Sequence, residues 1–171
     1  MDGTFAVLFL IAGLADMKAS HCPVSGCLTE RDTPARIALS AGDVQFQKDS
    51  IAEEVYVRYD FGRAYGPFQP AFGLSATSDG DAWIGFGATW TGYFARNRGY
   101  VQLHLMPGLY AQGDGPDLGS PLEFRSGAEI GYETRKGVRI GLSYDHRSNA
   151  DIETVNPGLE TVQLRVSIPL K

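Results

Sequence analysis

Strict alternation of apolar and polar side chains marks the stretch Val162-Gln163-Leu164-Arg165-Val166-Ser167-Ile168 near the end of the chain. A period of two residues is typical of a β-strand, because successive side chains point to opposite faces of the sheet. The same period dominates from Arg36 onward, and turn residues rich in Gly, Asp and Asn separate the alternating segments. Strands are predicted at 36–46, 53–62, 67–77, 82–94, 99–111, 122–133, 137–148 and 158–169. Regularly spaced strands of this kind indicate an all-β sandwich or barrel.

Length and composition favour one domain and exclude several classes of protein. The chain has 171 residues and a net charge of −5, from 15 basic and 20 acidic side chains. Nucleic acid is therefore not expected as a partner, because proteins that bind it usually present a basic face. No continuous apolar run reaches the roughly 18 residues that a membrane helix needs. A membrane protein with this sequence would have to be a closed barrel.

The beginning of the chain carries a separate signal. Phe5 to Ala15 is an apolar run of eleven residues, the length of the central region of a secretory signal peptide. Residues 1–20 are therefore predicted to be a signal peptide, although the preceding residues lack Lys and Arg, and a buried N-terminal helix is the alternative. Residues 21–35 form an N-terminal segment and 36–171 the barrel. The two cysteines would suit a small disulfide loop in an oxidising compartment, or would belong to a removed leader: Cys22 and Cys27.

Alternation alone does not decide which face of the strands points inward. A soluble carrier barrel would bury the apolar face, whereas a membrane barrel would expose it to lipid. Seven glycines fall on the polar face: Gly73, Gly85, Gly87, Gly108, Gly127, Gly131 and Gly141. Small residues are needed where eight strands crowd a narrow lumen, and they gain nothing on a solvated exterior. The sequence therefore favours an eight-stranded antiparallel transmembrane β-barrel with a polar lumen.

The even number of strands also predicts which connections share an end of the barrel. Both ends of the chain are expected on the periplasmic side, together with the turns 62–66, 95–99 and 134–137. The connections on the extracellular side are then 47–52, 78–81, 112–121 and 149–157. Longer extracellular loops are typical of this architecture.

Three polar residues share the predicted lipid-facing side near the outer ends of the last two strands. His146 and Ser148 have the parity of the apolar residues of their segment, and so does Glu160 in the next one. Two residues along a strand span roughly 6.6 Å on one surface, so the serine hydroxyl can reach the imidazole. Such groups are costly in lipid unless they pair and act. They supply the nucleophile, base and orienting acid of serine hydrolysis, and interfacial side chains at the headgroup level are the alternative.

At these residues the chain resembles a known family. The string His146-Arg147-Ser148-Asn149-Ala150, followed by Asn156-Pro157-Gly158-Leu159-Glu160, is similar to the lipid A 3-O-deacylase (PagL-like) family of outer-membrane enzymes. The hallmark of that family is His-x-Ser-Asn on the penultimate strand and a Glu twelve residues after the Ser, the spacing found here. The specific resemblance covers about the last quarter of the chain, and the strand pattern extends it to residues 36–171.

The resemblance implies a carboxylic ester hydrolase that removes the 3-O-linked acyl chain of lipid A in the bacterial outer membrane. Ser148 would be the nucleophile, His146 the general base and then acid, and Glu160 the group that orients the imidazole. Asn149 would help to form the oxyanion hole through its side chain or backbone N–H, although Asn also commonly begins turns.

The resemblance implies the partners, and two other functions compete with it. No metal or cofactor is implied, the partners are lipid A or lipopolysaccharide and the outer membrane, and a homodimer stays open. The second hypothesis is a non-enzymatic eight-stranded outer-membrane barrel that serves adhesion or envelope structure. The third is a soluble carrier barrel.

Overall fold

The eight predicted strands close into one antiparallel barrel in the computed structural model, which describes residues 3–170. The barrel strands are β2 Arg36–Phe46, β3 Asp49–Asp60, β5 Gln69–Thr77, β6 Ala82–Phe94, β7 Gly99–Ala111, β8 Leu122–Glu133, β9 Arg139–Ser148 and β10 Leu159–Pro169. Each strand pairs with the next barrel strand along the chain, and β10 also pairs with β2, which closes the sheet. The predicted fold class is confirmed.

One predicted connection is much shorter than expected. The sequence predicted a loop over 47–52, but β2 and β3 are joined by Gln47 and Lys48 alone. Both residues have left-handed backbone angles, with φ of 52° and 80°. Positive φ at both central positions is the geometry of the tight hairpin turn that matches the twist of paired strands. Asn and Gly are the residues typical of this turn, so a turn formed by Gln and Lys could not be recognised from the sequence.

Two short strands lie outside the barrel. β1 Glu30–Asp32 pairs in antiparallel fashion with β4 Arg63–Tyr65, where the sequence predicted only the turn 62–66. The Nε of Arg31 also donates a hydrogen bond to the carbonyl of Gly66 over 3.0 Å. This pairing joins segments more than thirty residues apart, so the period within one segment could not reveal it.

The apolar face of the barrel points outward, as predicted from the lumen glycines. Its large apolar side chains are about half exposed, for example 58% at Leu39, 56% at Leu142 and 61% at Leu164. A soluble barrel would bury these side chains, so the exterior is a lipid-facing surface. The soluble carrier hypothesis is wrong.

Charged side chains of opposite sign fill the lumen. The ion pairs include Arg58–Asp60 at 2.7 Å, Arg125–Glu54 at 2.9 Å, Arg147–Glu54 at 2.5 Å and Arg165–Glu129 at 2.7 Å. Every one of these side chains is at most 2% exposed. Buried charges are strongly destabilising unless they are paired and hydrogen-bonded, so the network forms a packed polar core that braces the strands from inside.

A helix precedes the barrel and packs on its outer wall. α1 Thr4–Asp16 continues through a π-helical turn, Met17–His21, and contacts β6, β7 and β8. The whole segment has 18 residues and a mean hydropathy of 1.2, so by length and composition it could cross a membrane. A signal sequence near the N-terminus has the same properties. The segment contains Asp16 and Lys18, so its continuous apolar run is still the predicted stretch from Phe5 to Ala15. The signal peptide stays a prediction. Cys22 and Cys27, which follow the helix, form a disulfide.

Candidate active site

The last two strands bring an imidazole and a carboxylate into contact. His146 of β9 and Glu160 of β10 are direct cross-strand neighbours, and Nδ1 of His146 lies 3.2 Å from Oε1 of Glu160. His146 is only 2% exposed, and the side chain of Glu160 is 19% exposed. A carboxylate in this position orients the ring and selects the nitrogen that carries the proton.

Ser148 is the last residue of β9 and shares the outward face with His146. Outward residues earlier on the same strand are about half exposed, for example 56% at Leu142, whereas Ser148 is 7% exposed. The outer end of this row is therefore covered by other parts of the chain. The row is thus partly covered at this end, unlike its half-exposed part earlier on the strand.

A cavity of about 320 Å³ lies beside Ser148. It falls within the size range of small-molecule sites, roughly 300–1,000 Å³. Its wall combines apolar and polar groups: Gly3, Ala6, Leu105, Phe124, Ser126, Ser148, Ala150, Asp151 and Asn156. The apolar part of this wall suits a hydrocarbon chain, and the polar part suits a polar group attached to such a chain.

The beginning of α1 forms one side of that cavity. Gly3 and Ala6 belong to the wall, and the ring of Phe5 lies 5.6 Å from the ring of Tyr144, which precedes His146 on the same face of β9. Part of the cover over the site thus comes from the segment that the sequence predicts to be a signal peptide.

The side chain of Asn149 is directed toward the loops. It is fully buried, and its Nδ2 donates to the carbonyl oxygens of Leu118, at 3.1 Å, and Val155, at 2.7 Å. The backbone N–H of Asn149 donates to Oδ1 of Asn156 over 3.0 Å. Asn156 lines the cavity, and Asn149 is not among its lining residues. Sequence reasoning did not assign a role to Asn156, although its place in the Asn-x-Gly-x-Glu string was a usable signal.

The family model for lipid A 3-O-deacylase (PagL) matches residues 50–169, which include β5 to β10 and the candidate residues His146, Ser148, Asn149 and Glu160. The chain belongs to the lipid A 3-O-deacylase (PagL) family. Membership in the PagL family agrees with the closed barrel and its apolar exterior. The chain is accordingly an outer-membrane β-barrel protein.

Individual relatives agree with this assignment. The lipid A deacylase PagL of Bordetella bronchiseptica is 35% identical over 77 residues, which cover 44% of this chain and 41% of that protein. The match thus spans about two-fifths of the length of that curated relative. The crystal structure of the outer membrane enzyme PagL superposes with a TM-score of 0.67 at 19% identity, covering 79% of this chain and 99% of that one. A de novo designed transmembrane β-barrel gives 0.59 at 9% identity, covering 82% and 98%. Both structures show the shared fold.

Proposed function

We propose that the chain is a serine esterase that removes the 3-O-linked acyl chain of lipid A in the outer leaflet of the outer membrane. The observation that carries the proposal is the 3.2 Å contact between His146 and Glu160 on the lipid-facing side of the barrel, next to Ser148 and its cavity. Family membership supports the substrate class and the ester position.

The chemistry follows the roles of a nucleophile, a base and an orienting acid. His146 takes the proton of Ser148 as the serine oxygen attacks the ester carbonyl carbon, and it returns that proton to the departing sugar hydroxyl. Water, activated by the same imidazole, then releases the fatty acid from the acyl-enzyme. Glu160 holds the ring in the productive tautomer and stabilises the imidazolium that forms.

The oxyanion of the tetrahedral intermediate needs N–H donors near the cavity. The side-chain amide of Asn149 donates to two loop carbonyls, and its backbone N–H donates to Oδ1 of Asn156. A role of Asn149 in the oxyanion hole would therefore require its backbone N–H to exchange the bond to Asn156 for one to the substrate oxygen. Asn156 accepts that bond, donates through Nδ2 to Asp151 over 2.8 Å and lines the cavity, so its side-chain amide is a second candidate donor there.

A site on the outer wall allows the substrate to arrive from the side. The acyl chains of lipid A stay in the bilayer, and the ester reaches Ser148 without leaving the membrane. Cleavage of the proposed signal peptide, residues 1–20, would remove the part of the cavity wall that Gly3 and Ala6 form. The cavity would then open toward the lipid.

Mass spectrometry of lipid A treated with the purified barrel in detergent micelles tests the proposal. The expected product is lighter by one hydroxyacyl chain, lost from the 3-position, with release of the free hydroxy fatty acid. The non-enzymatic alternative predicts an unchanged mass. Loss of a chain from any other position would contradict the proposed regiochemistry.

Gly158 provides a test of the imidazole position. It has a φ of +73°, and a Cβ added there would lie 2.8 Å from Cε1 of His146. Gly158→Ala is expected to strain the turn and displace the ring, which lowers the rate of deacylation by roughly tenfold or more. Initial rates measured on equal amounts of folded barrel check this expectation.

Gly137→Ala is the matched control for that variant. Gly137 has a similar φ of +79°, but its nearest contact is Pro169, at the opposite end of β9 and β10. The control is expected to share the backbone strain and keep its activity. Equal losses of activity in the two variants would contradict the assigned role of the Gly158 contact.

A further inference from the structure

Glu54 lies inside the barrel on β3 and binds three other strands at once. Its carboxylate accepts two hydrogen bonds from Arg125 of β8, at 3.0 and 2.9 Å. It also accepts one from Arg147 of β9, at 2.5 Å, and one from Gln163 of β10, at 2.6 Å. All four side chains are at most 1% exposed.

The three strands that Glu54 joins are the strands that carry the candidate site on the other face. β8 contributes Phe124 and Ser126 to the cavity wall, β9 carries His146 and Ser148, and β10 carries Glu160. Because successive side chains of a strand alternate between its faces, Arg147 points into the lumen between the two outward residues. Glu54 therefore binds β9 at Arg147, the residue between the proposed base, His146, and the proposed nucleophile, Ser148.

Glu54 compensates the charges of two neighbouring arginines, Arg125 and Arg147. Arg125 and Arg147 are direct cross-strand neighbours, and like charges placed opposite each other destabilise a strand pair. Arg125 has a second partner in Asp145, at 2.7 Å. For Arg147, Glu54 is the one carboxylate within ion-pair distance among residues 3–170.

We propose that Glu54 is a positioning residue for the reaction: from the lumen it fixes the spacing of β8, β9 and β10, and thereby the geometry of Ser148, His146 and Glu160. The inference rests on the proposed function. Glu54 does not touch the substrate, so its loss is expected to affect turnover rather than substrate binding. Misplacement of reacting groups by about 1 Å costs roughly a hundredfold in rate.

The first experiment compares two neutral variants of buried lumen carboxylates. Glu54→Gln is expected to lower kcat by about ten- to a hundredfold and to change KM less than about threefold, because the cavity wall keeps its residues. The matched control is Glu129→Gln, which removes an equally buried carboxylate that pairs with Arg165 at 2.7 Å and does not contact Arg147. The control is expected to keep kcat within about threefold of the wild-type value.

Two further variants test whether Glu54 acts through its ion pair with Arg147. They also keep the inference testable if Glu54→Gln fails to fold. Arg147→Gln breaks the same tether while Glu54 keeps its bonds to Arg125, so it is expected to lower kcat in the same way. The double variant Glu54→Gln/Arg147→Gln removes the uncompensated charge and is expected to be no slower than either single variant, because the two residues act as one unit. Normal kcat in Arg147→Gln, or equal losses in Glu54→Gln and Glu129→Gln, would overturn the inference.

Wild type and Ser148→Ala, assayed in parallel, separate this inference from the proposed function. If the wild type releases no fatty acid, the proposed function fails whatever the Glu54 variants do. If the wild type is active, Ser148→Ala is inactive and Glu54→Gln matches the wild type in kcat, only the positioning role fails.

Discussion

Lipid A from cells that express Ser148→Ala is expected to keep every acyl chain, whereas wild type removes one. Without the hydroxyl no acyl-enzyme can form, and loss of a serine nucleophile typically costs on the order of 10⁶ in kcat. The measurement is the mass of lipid A extracted from cells that contain equal amounts of folded barrel. Heat-modifiable migration in gels reports that the barrel has folded.

Ser126 is the competing serine and gives this prediction its control. It lines the same cavity and lies opposite His146 in the register of β8 and β9. Ser126→Ala is expected to lose no more than about tenfold in rate, because it removes a cavity group and not the nucleophile. Full activity in Ser148→Ala together with inactivity in Ser126→Ala would contradict the assignment, because the nucleophile would then be Ser126 on β8.

Replacing the base is expected to be nearly as damaging as replacing the nucleophile. His146→Asn keeps a polar side chain of similar reach but cannot take the proton of Ser148. Its kcat should fall on the order of 10⁶, and that of Glu160→Gln less, on the order of 10⁴, since an orienting acid usually matters less than the base it orients. Initial rates of fatty acid release on purified proteins measure both.

The combination of variants gives the sharper readout for His146. Residues that act as one unit are strongly non-additive, so the double variant Ser148→Ala/His146→Asn is expected to be no slower than Ser148→Ala alone. Multiplied losses in the double variant would show that the two residues act in separate steps. A Glu160→Gln variant slower than His146→Asn would contradict the orienting role of Glu160.

Much of the fold could be predicted from the sequence because a barrel strand has two unlike faces. Alternation gave the strands to within four residues, and the position of the glycines gave the direction of the faces. The hairpin at Gln47 and Lys48 was missed because neither residue is typical of its turn. The pairing of β1 with β4 was missed because it joins distant segments.

The candidate site, like the fold, could be predicted from the sequence only in part. Parity along β9 and β10 was enough to place His146, Ser148 and Glu160 on one face, because the side-chain period of a strand is fixed. The direction of the Asn149 side chain was not predictable, since it depends on loop carbonyls at Leu118 and Val155. The contact between Glu54 and Arg147 crosses the lumen over 93 positions in sequence, which no local pattern reports.

The two faces of the barrel thus have different roles in the proposed enzyme. The lumen is a buried network of paired charges, and the outer wall carries a small polar site near one end of β9 and β10. Sites built on rigid elements keep reacting groups in place better than sites built on mobile loops. In the proposed mechanism, the network behind β8, β9 and β10 holds Ser148, His146 and Glu160 in place while its own charges stay in the lumen.

Covalent capture of Ser148 by an alkylphosphonate p-nitrophenyl ester tests the central claim most directly: the serine oxygen displaces p-nitrophenolate from phosphorus, and peptide mass spectrometry maps the adduct. Wild type is expected to gain one phosphonyl group on Ser148 and to lose activity in step with labelling. His146→Asn is expected to remain unlabelled, because the serine is then not activated. An adduct on Ser126, or labelling of Ser148 that does not depend on His146, would contradict the account.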